Sequence, residues 1–222
     1  MDTVNAHRLA KSLPTVAVTA ITALSLAASV AAQTGSGRDN RLFEAATAAQ
    51  PAVIATLKEL VLIESGSGNL AGLRRVAEYA DTRLRALGAR TERIKASDSD
   101  RLLIKGTFTG TGKLKVMLMA HMDTVYPEGI LTTQPFRQDG NKLYGPGIAD
   151  DKGGVAVILH SLALLQELGW RDYAQITVLF NPDEEVGSPE GQEILRAHVT
   201  GARSALVFEA GRAKDAIITQ RK

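Results

Sequence analysis

Apolar positions recur along this chain at two different spacings, and the alternation between them predicts a layered fold. Asp39 or Asn40 can cap a helix, after which Leu42, Phe43, Ala46, Val53, Ile54, Leu57, Leu60 and Val61 supply an apolar stripe, with Pro51 expected to start a second helix inside that run. A further helix is predicted from about Asn69, with Leu73, Val76, Ala77, Ala80, Leu84 and Leu87 on one face and a stop at Gly88. Short apolar runs at about 89–94, 101–108, 114–120, 175–181 and 204–209 read as strands. Residues 151–168, with Val155, Ile158, Leu159, Leu162 and Leu165 along one side, and residues 189–198 read as helices between them. Strands alternating with helices predict an α/β domain with a largely parallel sheet.

Residues 1–32 follow a different pattern. His7, Arg8 and Lys11 precede an apolar stretch over 13–32, interrupted only by Pro14, threonines and serines, and small residues crowd its end. This is the layout of a secretory signal peptide, with cleavage after Ala31 or Ala32. A single membrane anchor is the alternative, since about 20 apolar residues span a bilayer. The Thr and Ser content and the small-residue end favour a cleaved leader, so the expected location is periplasmic or secreted, without stable membrane insertion after cleavage. Residues 33–39, with Gly and Ser at their centre, read as a linker.

Composition narrows the chemistry. The chain has 222 residues, 45% of them hydrophobic, enough for a real core. Its 26 basic and 24 acidic residues give a net charge of +2 with no basic block, so no nucleic-acid partner is expected and the substrate is expected to be small. Cysteine is absent, which excludes disulfides and thiolate metal sites and leaves nitrogen and oxygen as the only metal ligands.

Those ligands occur where strands are predicted to end. His121 closes the apolar strand KVMLMA, Glu184 and Glu185 follow ITVLF in LFNPDEEVGS, and Glu209 follows ALVF. In an open α/β sheet the ligand crevice lies beyond the carboxyl ends of the strands, so three strands would deliver these side chains to one place. Asp123, two residues after His121, is a plausible orienter of a metal-binding imidazole. Asp150, in the tight turn of YGPGIADDKGG, could bridge two cations with its two oxygens, while Asp151 is the better helix cap. Two adjacent glutamates suggest a division of labour, one binding metal and the other taking a proton from water. Each residue alone has a plainer reading: a structural histidine, an N-cap, an exposed acidic loop, a solvated strand end. His160 and His198 fall inside predicted helices and are not expected to bind metal. The glycines at 66, 68 and 72 are spaced too widely for a dinucleotide fingerprint, and GTFTGTGKL lacks both the first glycine and the final Ser or Thr of a phosphate-binding loop.

Taken together, LMAHMDTVY, YGPGIADDKGG, TVLFNPDEEVGS and VFEAG resemble the co-catalytic dizinc aminoacylase and carboxypeptidase metallopeptidases, most closely their glutamate carboxypeptidase (carboxypeptidase G type) branch, over about 40–209. The resemblance implies a three-layer, open, twisted sheet of zinc-exopeptidase type. It implies two zinc ions: His121 and Glu209 on one, Glu185 on the other, Asp150 bridging both, Asp123 orienting His121, and Glu184 as general base. A non-proline cis peptide after Asp150 is also implied. The implied reaction is hydrolysis of a C-terminal amide by water activated between the zinc ions, releasing glutamate from peptides or folate-type conjugates. N-acyl amino acid deacylases, desuccinylases and dipeptidases share the same centre, so their N-acyl substrates remain an alternative. Measured against that family, residues 40–222 correspond to the N-terminal portion of the catalytic domain. The inserted dimerisation domain, on which a homodimer is expected, and the histidine that completes the Glu185 zinc would lie beyond them. A truncated, inactive metal-binding fragment is the further alternative.

Overall fold

A computed structural model of the protein describes residues 39–95, 100–199 and 201–211. The expected leader, and all of the expected linker except Asp39, lie outside the described residues. Helix α1 (Asn40–Val61) is followed by α2 (Leu70–Ala86), strands β1 (Arg90–Lys95), β2 (Leu102–Thr109) and β3 (Lys115–His121), and the short hairpin strands β4 (Arg137–Asp139) and β5 (Lys142–Tyr144). Helix α3 (Lys152–Glu167), strand β6 (Gln175–Asn181), helix α4 (Gly191–Val199) and strand β7 (Ser204–Val207) complete the set.

Five strands form an open sheet in the order β1-β2-β6-β3-β7. β3 runs parallel to both β6 and β7, whereas β1 and β2 pair antiparallel, as do β2 and β6. The sheet is therefore mixed, and its parallel part is the half that leads to the candidate site. The link between Lys95 and Leu102 is too short for a parallel crossover, which needs a dozen or more residues, so β2 can only return antiparallel.

Side-chain alternation places a core on each face of the sheet. Ile104, Leu118, Val178 and Phe180 face α1, α2 and α3, where they meet Leu60, Val76, Leu84, Val155, Ile158 and Leu159. Their neighbours Leu103, Met117 and Leu179 point the other way and pack against Ile194 and Leu195 of α4. Helices thus cover both faces, giving three layers.

The helix ends follow local chemistry. Asp39 caps α1 by accepting from Leu42 N, and Asn69 caps α2 by accepting from Gly72 N. After α2 the chain turns through Gly88 at φ 83°, a conformation available to glycine at little cost. Pro51 does not start a second helix: α1 is one helix of 22 residues with Pro51 inside it. The proline leaves the Thr47 carbonyl without an intrahelical donor, but Thr47 and Pro51 are both exposed, so water can satisfy that group. Only the second half of the expected stripe is covered, since Leu42 and Phe43 are exposed while Leu57, Leu60 and Val61 are buried. At the start of α3, buried Lys152 donates from Nζ to the carbonyls of Leu60 (3.0 Å) and Ile63 (2.5 Å), tying α3 to the end of α1. Burial holds the Lys152 ammonium down to about 8. Among the described residues, no helix is long and apolar enough to cross a membrane.

Candidate metal centre

The three parallel strands β6, β3 and β7 end side by side, and the residues that follow them meet at that rim. His121 is the last residue of β3 and is almost fully buried. Its Nδ1 lies 3.0 Å from the Asp123 carbonyl and 3.2 Å from Asp123 Oδ1. Two acceptors on that side hold a proton on Nδ1, and Nε2 is directed into the crevice. Nε2 lies 2.9 Å from Asp150 Oδ1 and 3.9 Å from Glu209 Oε1.

Asp123 is fully buried and holds several segments together. Besides facing His121, its carboxylate accepts from the backbone of Glu184 (3.0 Å) and Glu185 (3.1 Å), and from the Ser67 hydroxyl (2.8 Å). Glu184 and Glu185 begin a short 3-10 turn, Glu184–Val186, and the carboxylate of Asp123 fixes both of their amides. Asp151 caps α3 through Gly154 N and also accepts from His121 N at 3.2 Å. The peptide bond between Asp150 and Asp151 is cis, as the resemblance implies.

Every residue singled out for the site arrives here. His121, Glu184 and Glu209 can each offer one ligand atom with all three atoms within 4.8 Å of one another, and so can His121, Asp150 and Glu185. His160 and His198 belong to neither group; the His160 ring instead lies 2.9 Å from Thr56 Oγ1. Ser67 and Asp151 were not among the expected site residues. The capping position of Asp151 was legible, but its second bond to the His121 amide was not. Ser67 carried no signal, because its partner lies on a distant loop.

One imidazole sits among an excess of carboxylates, and their titration records it. Burial opposes protonation of His121, but the hydrogen bond and charge of Asp123, with Asp151 and Asp150, carry it up to about 10. Asp151 is pushed up to about 7, chiefly by burial. Glu185 and Glu209 are both raised, first by burial and then by the charge of Asp150, acting against the lowering effect of His121. Asp123 goes down despite its burial, because His121, Ser67 and the Glu185 amide favour its charged form. Carboxylates crowded around a single imidazole are a donor set that divalent cations fit, a bound cation taking the place of the proton on Nε2. His121, Asp150, Glu184, Glu185 and Glu209 are the residues able to hold them.

An open α/β sheet covered on both faces, with this donor set at the ends of its parallel strands, defines a protein of the zinc-exopeptidase fold class. A family model described as Peptidase family M20/M25/M40 matches residues 117–219, and the chain belongs to that family. It is 47% identical over 206 residues to carboxypeptidase G2 of Pseudomonas sp. (strain RS-16), covering 91% of this chain and 49% of that protein. To acetylornithine deacetylase of Myxococcus xanthus it is 33% identical over 173 residues, covering 73% of this chain and 43% of the relative. Among solved structures, human carnosine dipeptidase 1 superposes with a TM-score of 0.68 at 21% identity, over 78% of this chain and 41% of that one, a likeness of fold. The chain spans about half the length of the curated relatives it matches.

Proposed function

We propose that the whole protein is a zinc-dependent carboxypeptidase that hydrolyses a C-terminal amide bond and releases glutamate from peptides or folate-type conjugates. The observation that supports this best is the meeting of His121, Asp150, Glu184, Glu185 and Glu209 at the ends of β3, β6 and β7 in two overlapping ligand groups. The likeness to carboxypeptidase G2 directs the reading toward a C-terminal residue.

In this proposal His121 and Glu209 would hold one zinc ion, Glu185 would hold a second, and Asp150 would serve as a ligand to both. The bound ions would supply electrophilic activation of a water molecule and of the scissile carbonyl. Asp123 keeps the proton on His121 Nδ1, so that Nε2 stays available as a ligand. Through the backbone of Glu184 and Glu185, Asp123 also fixes where the two glutamates start. Glu184, exposed at the crevice and outside the proposed ligand set, accepts the proton of the attacking water and passes it to the departing amine nitrogen. Export in the company of a cleaved leader, and a homodimer of the complete enzyme, belong to the same proposal.

A second reading, an N-acyl amino acid deacylase, is favoured by the identity with acetylornithine deacetylase. Incubation of the zinc-loaded full-length protein with a pteroyl-glutamate conjugate, N-acylglutamates and N-acylornithines, followed by amino-acid analysis, separates the two. Glutamate release is expected; release of ornithine alone would overturn the first reading in favour of the second.

A further inference from the structure

β2 runs against the parallel strands, so it brings its beginning, not its end, to the rim where β3 and β6 finish. Ile104 of β2 pairs with Phe180 of β6, and Arg101, just before β2, reaches the loop that follows β6. There its guanidinium forks. Nη1 donates to Glu190 Oε1 at 2.8 Å, while Nη2 donates to the Ser67 carbonyl at 2.8 Å. The side chains of Arg101 and Glu190 are each only 18% exposed, so salt and water screen the pair little.

Those two bonds close a ring beside the candidate metal centre. The Ser67 hydroxyl donates to Asp123 Oδ2, and the Asp123 carboxylate accepts from the amides of Glu184 and Glu185. From Glu185 the chain runs on to Glu190, whose carboxylate returns to Arg101. The loop in between carries bonds of its own: Ser188 N donates to the Asp183 carbonyl (2.8 Å), and Asn181 Nδ2 donates to Ser188 Oγ (2.8 Å). The buried Asp183 carboxylate accepts from Glu190 N (2.9 Å) and Gly191 N (3.3 Å). These bonds make the loop one unit, gripped by Asp123 at one end and by Arg101 at the other.

Resting on the dizinc hydrolase reading above, we propose that Arg101 is a positioning residue: by clasping Glu190 to the Ser67 loop, it sets where Glu184 and Glu185 stand relative to His121. It acts through Ser67, Asp123 and the loop, not by touching a ligand atom. The planar fork suits this task because it holds two acceptors in one fixed geometry, whereas an ammonium is a compact point charge on a flexible stem. Placement of this kind has leverage, since a shift of about 1 Å in a catalytic group costs about 100-fold in rate.

The test compares the full-length wild type with Arg101→Met, which keeps an unbranched stem and removes the fork. Amide hydrogen exchange reads the clasp without metal or substrate: exchange over residues 184–190 is expected to be at least about 10-fold faster in the variant, with α2 unchanged. In chelator competition, affinity for one of two zinc ions is expected to fall about 10-fold, and kcat is expected to fall with little change in KM. Unaltered exchange and zinc affinity would overturn the proposal. So would equal acceleration in α2, which marks a general loss of stability. Arg101→Lys keeps the charge beside Glu190 and is expected to recover only part of the lost zinc affinity; full recovery would mean that charge alone suffices and would overturn the fork. If Arg101→Met does not fold, Glu190→Gln is read in the same way, with a smaller acceleration over residues 184–190 expected and none overturning the proposal. A wild type that binds no zinc would sink the dizinc reading, while the exchange comparison would still judge the clasp.

Discussion

Glu184 and Glu185 are adjacent carboxylates with different surroundings, and the difference sets up a direct test. Both lie within reach of His121, but Glu184 is exposed while Glu185 is half-buried and raised in pKa. If Glu184 is the base, Glu184→Gln keeps the zinc content of the wild type and lowers kcat by about 100- to 10,000-fold, measurable by metal analysis and steady-state kinetics. Loss of one zinc per chain would instead make Glu184 a ligand, a role the distances also permit. Asp123 is expected to act on the metal indirectly. Asp123→Asn weakens its hold on His121 and on the Glu184 and Glu185 amides, so zinc affinity should fall about 10- to 100-fold in a chelator competition assay; unchanged affinity would mean that the imidazole needs no such partner. His121 and Asp123 were legible in the sequence because an apolar strand ends at them. The bond from Ser67 to Asp123 was not, because it joins two loops and no periodicity marks either partner.

The elements were most legible where one face is buried. α2, α3 and the strands β2, β3 and β6 appear where their apolar spacing puts them, because each spacing corresponds to buried positions; β1 and β7 also fall where expected, although β7 is exposed throughout and β1 has no buried residue. The hairpin of β4 and β5 escaped that reading: Arg137, Gln138 and Asp139 are all exposed, so no alternation exists to find. The run Asp139-Gly140-Asn141, with Gly140 at φ 58°, was its one local sign. Pro51 shows the converse, a strong local signal outweighed by the packing of the rest of α1. Replacing it by alanine restores a donor for the Thr47 carbonyl, and the unfolding free energy in urea should rise by about 1–3 kcal/mol; a decrease would mean the proline is a favourable part of the helix. Another test lies between α2 and β1. Asp81 is buried and paired with Arg93 at 2.7 Å and Arg85 at 3.1 Å. Burial acts to raise its pKa, but bonds from Thr91 and Arg93 and the charges of both arginines bring it below the ordinary carboxylate value. With the folded pKa below the unfolded one, the stabilisation is complete above the unfolded pKa and is lost as pH falls through the folded value. Urea midpoints measured downward from pH 7 should therefore decline less steeply in Asp81→Asn than in the wild type. Parallel curves would remove Asp81 from the acid response.

At the scale of the whole molecule, fold and site are one arrangement. The parallel part of the sheet brings the ends of β6, β3 and β7 to one rim, α1 to α3 and α4 cover the two faces, and the crevice is left as the place where charged groups meet. The convergence of distant residues was legible because strand ends in an open sheet share a rim. The antiparallel edge of β1 and β2 was less so, because apolar runs do not state strand direction. Membership of the M20/M25/M40 family accounts for the order of the motifs, and the residues account for what they can bind. The most direct measurement is anomalous diffraction at the zinc edge from crystals of the full-length protein supplied with zinc. Two anomalous peaks per chain are expected, with one about 2.0–2.2 Å from His121 Nε2 and both within coordination distance of Asp150. Zinc bound elsewhere, with none at His121 and Asp150, would contradict it.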